Sequence, residues 1–216
     1  MFEEFWKLIP EKYPMKELDT GVLSCLRAQG MLFQVSGWDA EGLGRISRMQ
    51  ASGFFGLMKM DTLIVNPTEI DMPLLSYDRI FAMGNDTLIF EVYDTFLQQR
   101  ELPAAAMAKA QGSGIPEHDM GAHWYDPIKL PVSFAKKGKK RQTPEFNRLA
   151  EEFLRGYLSD CGDAPVCDPA AKREKASVYV EGLLSNGGPS TDVFQKALGA
   201  EKTAELFRKI LFGIEE

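Results

Sequence analysis

The spacing of hydrophobic positions changes twice along the chain. Phe2, Phe5, Trp6 and Ile9 recur at intervals of three and four, a helical spacing that stops at Pro10 and predicts one short helix. From Met31 the runs shorten to MLFQVSGW, GRISRMQASG, FFGLMKMDTLIV, YDRIFAMG and DTLIFEVYD, each bounded by Gly, Asn, Asp or Pro. They predict an antiparallel meander of about five strands over residues 31–97. Gly84-Asn85-Asp86, between RIFAM and TLIFEVY, has the chemistry of a tight turn, and Asp86 is assigned to that turn with no further role. FFGLM and TLIF are apolar at consecutive positions, so their strands need cover on both faces.

Helical spacing returns after residue 142. Thr143-Pro144-Glu145 reads as an N-cap followed by a proline in the first turn, and Phe146, Leu149, Phe153, Leu154, Tyr157 and Leu158 form one apolar stripe. Asp168-Pro169 opens a second helix in the same way, with Val178, Val180, Leu183 and Leu184 inward and Asn186-Gly187-Gly188 as its stop. A third runs from Ser190 to Phe212 and breaks at Gly199. With an irregular middle over residues 98–142, this order predicts a three-layer α/β/α sandwich around an antiparallel sheet, a single domain over residues 1–216.

Composition narrows the function. A chain that is 44% hydrophobic and 26% charged has enough apolar residues for a packed interior and no run that approaches a bilayer span. Glu3, Glu4 and Glu11 stand where a secretory leader needs a basic end and an apolar stretch, so a soluble, cytoplasmic protein is expected. The net charge of −6 argues against a broad nucleic-acid surface. In FAKKGKKRQ, however, Lys136, Lys137, Lys139, Lys140 and Arg141 put five cations into six positions. That segment is either a solvated loop before a helix or a docking patch for an acidic partner.

Cys25, Cys161 and Cys167 cannot all pair and show no CxxC spacing; they read as reduced thiols, with a disulfide or metal at Cys161 and Cys167 the lesser alternative. His118 and His123, near Glu117, Asp119 and Asp126, read as exposed loop residues, as a pocket rim or, least of all, as metal ligands. No phosphate loop, dinucleotide fingerprint, HExxH or GxSxG occurs. Among the carboxylates, Asp78 follows Met72-Pro73-Leu74-Leu75 and precedes Ile80-Phe81, inside an apolar strand region. A carboxyl desolvated there would hold a proton near neutrality, as a general acid must; the alternative is an aspartate bonded to backbone amides at a strand start.

Asp71-Met72-Pro73-Leu74-Leu75-Ser76-Tyr77-Asp78, followed by a turn and a second strand ending in Asp94-Thr95, resembles a motif of the ferredoxin-dependent bilin reductases. DVFQKALGAEKTAELFRKILFG, Asp192 to Gly213, is similar to that family's closing helices, and YLSDCGDAPVCDP to the loop between the two helices before them. The resemblance covers residues 54–97 and 143–213. It implies an antiparallel α/β/α sandwich that binds a linear tetrapyrrole such as biliverdin between the sheet and the C-terminal helices. It also implies reduction by single electrons from an external ferredoxin or flavodoxin, without bound flavin or metal, and with protons from the protein.

By that resemblance Asp78 is the principal proton donor. Asp61 stands at a position where some members carry a histidine and is the second catalytic candidate; Asn66, Tyr77 and Asp192 are expected at the substrate, and Lys136, Lys137, Lys139, Lys140 and Arg141 at the electron carrier. A second acid of the family falls near Gly188, which offers no side chain, with Asp192 one helical turn beyond. Two further possibilities stay open: a tetrapyrrole or hydrophobic-ligand binder without catalysis, and a reductase of another open-chain tetrapyrrole.

Overall fold

The computed structural model of the chain describes residues 5–98 and 114–215. The expectations for Phe2 and for the stretch 99–113 lie outside these residues. A 3-10 turn, Phe5–Lys7, leads into α1 (Leu8–Lys12). Pro10 sits inside α1, not at its end, because it occupies a position in the first turn where a helical N–H has no partner to lose.

Eight strands follow in one antiparallel sheet: β1 (Met15–Glu17), β2 (Cys25–Ala28), β3 (Met31–Ala40), β4 (Gly44–Gly53), β5 (Met58–Pro67), β6 (Leu74–Ala82), β7 (Asn85–Tyr93) and β8 (Phe134–Lys139). The meander read from residues 31–97 is β3 to β7, each paired with the next. β1 and β2 extend it by pairing with opposite ends of β3. β8 corrects the expectation of an irregular middle, for the lysine-rich segment pairs with β7 and forms an edge. Cations are a common guard on an edge strand, so a charge run there does not exclude a strand.

The β6–β7 turn also differs from the expectation. Ala82 pairs with Asn85, so Met83 and Gly84 form the turn, both at positive φ of 51° and 77°. That conformation matches the right-handed strand twist and explains the glycine. Asp86 therefore belongs to the strand and is fully buried. It binds the Arg79 guanidinium at 2.5 and 2.7 Å and accepts the Thr143 hydroxyl at 2.8 Å. Thr143 is thus the first residue of α2 (Thr143–Gly162), tied to the sheet, and not a side-chain cap.

Asp168 does cap α3 (Pro169–Asn186), accepting from the Ala170 and Ala171 N–H groups. Val178, expected inward, faces out at 66% exposure. The last helix breaks at Gly199 as expected, into α4 (Pro189–Leu198) and α5 (Ala200–Glu205), which continues as a π-helical turn to Leu211. α1 and α2 cover one face of the sheet, and α3 to α5 the other, which makes the three layers α/β/α. Among the described residues, no helix is long and apolar enough to cross a membrane.

Candidate functional site

Strand alternation sorts the side chains of β6 between two environments. Leu75, Tyr77 and Arg79 point toward α2, where Tyr77 packs on Phe5 and Phe90 and Arg79 lies 4.5 Å over the Phe146 ring. Ser76, Asp78 and Ile80 point the other way, into a cleft between the sheet and the C-terminal helices. The cleft holds about 830 Å³ of space, mouth included. Met49, Met60, Thr62, Ile64 and Ile89 form its floor, and Tyr179, Leu183, Phe207 and Phe212 its roof.

Asp78 is partly buried on this floor. Register puts Thr62 of β5 directly opposite, and the Thr62 hydroxyl donates to Asp78 Oδ1. Burial pushes the Asp78 carboxyl up to about 6, against the pull of that hydrogen bond and with help from the negative charges of Glu91 and Asp61. Glu91 enters from β7 on the same face. Asp78 opposes Ile89 and Ser76 opposes Glu91, so the two carboxylates are diagonal neighbours, about 7–8 Å apart at the backbone.

A tyrosine cluster walls this end of the cleft. The Tyr93 hydroxyl donates to Glu91 Oε2 at 2.7 Å, and its ring stacks on Tyr179 at 4.0 Å. Tyr125 meets both edge-on, at 5.6 and 6.0 Å. Burial holds the Tyr93 and Tyr179 hydroxyls well above their usual range, so both stay protonated. Lys129 lies 3.6 Å from Glu91 and 2.8 Å from Asp126. Burial alone would lower its ammonium, but hydrogen bonding to Asp126 and the charge of Glu91 hold it above the usual lysine value.

The segment carrying Tyr125 is fixed at two points. Its backbone bonds to the sheet edge through Leu130 N–H to Val92 and Ile128 carbonyl to Asp94. At the other end Trp124 donates to the Gly187 carbonyl and rests on Gly182, where any Cβ would collide with the indole ring.

The remaining expected residues are dispersed. Asp61 is buried on the far face of β5, bidentate with Arg48 at 2.8 and 2.9 Å, so the position opposite Asp78 belongs to Thr62. An offset of seventeen residues across this hairpin lands on the wrong strand parity; sixteen lands on the pair. Tyr77 is likewise behind the sheet. Asn66 is fully buried and donates to the Phe212 carbonyl at 2.6 Å, which positions a roof residue without lining the cleft. Asp192 is exposed and turned toward Gly187, whereas its neighbours Ser190 and Thr191 line the cleft.

Of the basic segment, Lys136 is buried and paired with Glu117 at 2.7 Å, so it is no surface contact. Lys137, Lys139, Lys140 and Arg141 are exposed on the β8 edge and the turn after it. Asp71 of the resemblance motif is also structural, joined to Lys172 at 3.0 Å and to the Leu97 and Gln98 N–H groups. His118 lines a second, more polar cavity beside the cleft, with Asp119 and Lys129, and His123 stacks on Tyr125 at 4.8 Å. All three cysteines are free thiols, and burial pushes that of Cys161 up to about 12. Among the described residues, no group of three or more His, Cys, Asp or Glu side chains could hold a metal ion.

Glu91, Tyr125, Tyr179 and Thr191 were not legible as site residues. Glu91 alone left a trace, a lone carboxylate inside TLIFEVY, and it falls in phase with Asp78 once the turn is placed at residues 83–84. Neither a family model nor a curated protein matches the sequence. Among solved structures the fold has a counterpart in a bilin-binding protein. It is phytochromobilin synthase from tomato, crystallised in complex with biliverdin, which superposes with a TM-score of 0.76. The match is 11% identical in sequence and covers 96% of this chain and 80% of that one. The architecture is shared at a level of identity that speaks for the fold alone.

Proposed function

We propose that this chain is a bilin-reductase-like oxidoreductase that takes a linear tetrapyrrole, biliverdin or a relative, into the cleft between the sheet and the C-terminal helices. The observation that carries this reading is Asp78, a carboxyl with a raised pKa on the floor of an apolar cleft. The cleft is lined mainly by apolar and aromatic side chains with a few polar groups among them, the make-up of small-molecule and cofactor sites. The tomato neighbour, similar in fold, was crystallised with biliverdin.

Reduction of one double bond takes two electrons and two protons. An external one-electron carrier, ferredoxin or flavodoxin, would supply the electrons, with Lys137, Lys139, Lys140 and Arg141 as the cationic edge that meets its acidic surface. Asp78 would donate a proton to the pigment, becoming carboxylate, and a protonated pigment accepts the next electron more easily. Glu91 is the second carboxylate able to pass protons to the cleft, since it lines both the cleft and the polar cavity that holds His118 and Asp119.

A second reading is binding without reduction. It is favoured by Gly188, which lines the roof and offers no acid from the helical side. One experiment separates the two. Purified protein mixed with biliverdin is expected to give a red-shifted, protein-induced absorption band, and an unchanged spectrum would remove the substrate class. With a ferredoxin-reducing system, the wild type is expected to bleach that band, and Asp78→Asn to bleach it at least 100-fold more slowly, with binding within threefold of wild type. A band that never bleaches would leave the binding protein.

A further inference from the structure

The roof of the cleft contains a polar group with nothing to bind. Thr191 is 1% exposed, lines the cleft, and its hydroxyl oxygen has no hydrogen-bond partner. A buried hydroxyl without a partner is costly, and one that lines a cleft is free to be completed by a bound group. Thr191 stands in the first turn of α4, a ten-residue helix whose N-cap, Gly188, supplies no capping side chain. The N–H groups of Ser190 and Thr191 belong to the first turn, where no intrahelical acceptor exists, and the helix dipole places partial positive charge there.

Among the described residues, the rest of the cleft offers an anion little attraction. Asp78 and Glu91 lie on the floor, and Lys129 is engaged by Asp126 and Glu91. Among the described residues, the start of α4 is therefore the end of the cleft that favours a carboxylate. Gly188 keeps that end open. A Cβ at residue 188 would sit 3.3 Å from Leu183 Cδ2 and 3.6 Å from Thr191 Oγ1, so a longer side chain there would crowd both. The backbone at Gly188 is extended, at a φ of 178°, so packing against Leu183, and not conformation, limits the size of a side chain there.

We propose that the N-terminal turn of α4, with the Thr191 hydroxyl and the Ser190 and Thr191 N–H groups, is a carboxylate subsite that anchors an acid side chain of the pigment. The proposal rests on the tetrapyrrole reading and adds the ligand's required chemistry: a conjugated body with at least one free carboxylate. Anchoring at α4 leaves the conjugated system lying across the cleft toward Tyr179 and the opposed Asp78, the group placed to protonate it. Asp192, in the same turn, faces Gly187 on the exposed side and is not part of the subsite.

Two pigments and two variants test this in equilibrium titrations read by absorption. Thr191→Val keeps shape and removes the hydroxyl; Gly188→Asp places a like charge over the subsite. Biliverdin is expected to bind about tenfold or more weakly to Thr191→Val and weaker still to Gly188→Asp, while biliverdin dimethyl ester, which carries no carboxylate, binds both variants within threefold of wild type. Thermal unfolding of Thr191→Val is expected at or above the wild-type temperature, because an unsatisfied hydroxyl has been removed. Equal losses for diacid and ester, or no loss for either, would overturn the subsite while leaving the pigment reading intact. If wild-type protein responds to neither pigment, the pigment reading falls and the subsite with it.

Discussion

The two faces of the central sheet treat charge in opposite ways. Under α2 the charged groups are neutralised in place: Asp61 by Arg48, Asp86 by Arg79, Lys136 by Glu117. Each is buried and paired, and such groups hold strands and helices in register. Under α3 to α5, Asp78 faces an apolar cleft with the Thr62 hydroxyl as its hydrogen-bond partner, and Glu91 meets a tyrosine hydroxyl and a lysine at 3.6 Å. A carboxylate in a strand therefore says little about chemistry until its face is known. The same β6–β7 hairpin carries Asp86, tied to Arg79 and Thr143, and Asp78, whose carboxyl burial pushes up to about 6.

The sharpest way to break that contrast is on the paired face. Asp86→Ala strands a buried guanidinium and the Thr143 hydroxyl, and should cost about 3–5 kcal/mol in chemical denaturation. A loss below about 1 kcal/mol would mean that the pair does not hold the hairpin to α2. Asp61→Asn should cost about 3 kcal/mol by the same logic, yet leave the bleaching rate per folded molecule within twofold. A large kinetic loss at unchanged stability would return Asp61 to the catalytic set.

On the cleft face the sign reverses. The Asp78 carboxyl titrates at about 6 in the folded chain and near its ordinary 3.8 when unfolded, so folding takes up a proton between those values. Its contribution to stability is fully present below the unfolded pKa and is lost as pH rises through about 6. Asp78→Asn, which cannot ionise, should match wild type at pH 3.5 and exceed it by about 2 kcal/mol at pH 8, a figure discounted for the partial exposure of the group. A pH-independent difference would refute the raised pKa. The smallest effect belongs to the outer edge: Lys137→Glu with Lys139→Glu should change stability by less than about 0.5 kcal/mol. It should also weaken coupling to an acidic electron carrier several-fold at low salt, and salt should erase the difference.

Much of the architecture was legible before any coordinates. Runs bounded by turn residues marked β3 to β7, the Asp168-Pro169 start marked α3, and Gly199 marked the break between α4 and α5, because these signals are local and act within a few residues. The misses were non-local. β8 hid in a lysine-rich segment because an edge strand is defined by its partner, β7, and tolerates cations. The turn at residues 83–84 was misplaced by two residues because Asn85-Asp86 also favours turns, and the register of β6 on β7 decided between them.

The chain itself therefore determined the three-layer class, the order of β3 to β7 and of the C-terminal helices, and Asp78 as one candidate carboxyl in an apolar strand region, since local spacing and composition carry those. Tertiary structure alone decided which carboxylates share a cavity. Parity along a strand changes face at every residue, and a one-residue error in register moves an aspartate from a guanidinium to a cleft. For the same reason Asp61 and Tyr77 left the site, and Glu91 and Thr191 entered it, from elements that meet only when the sheet and the C-terminal helices pack together.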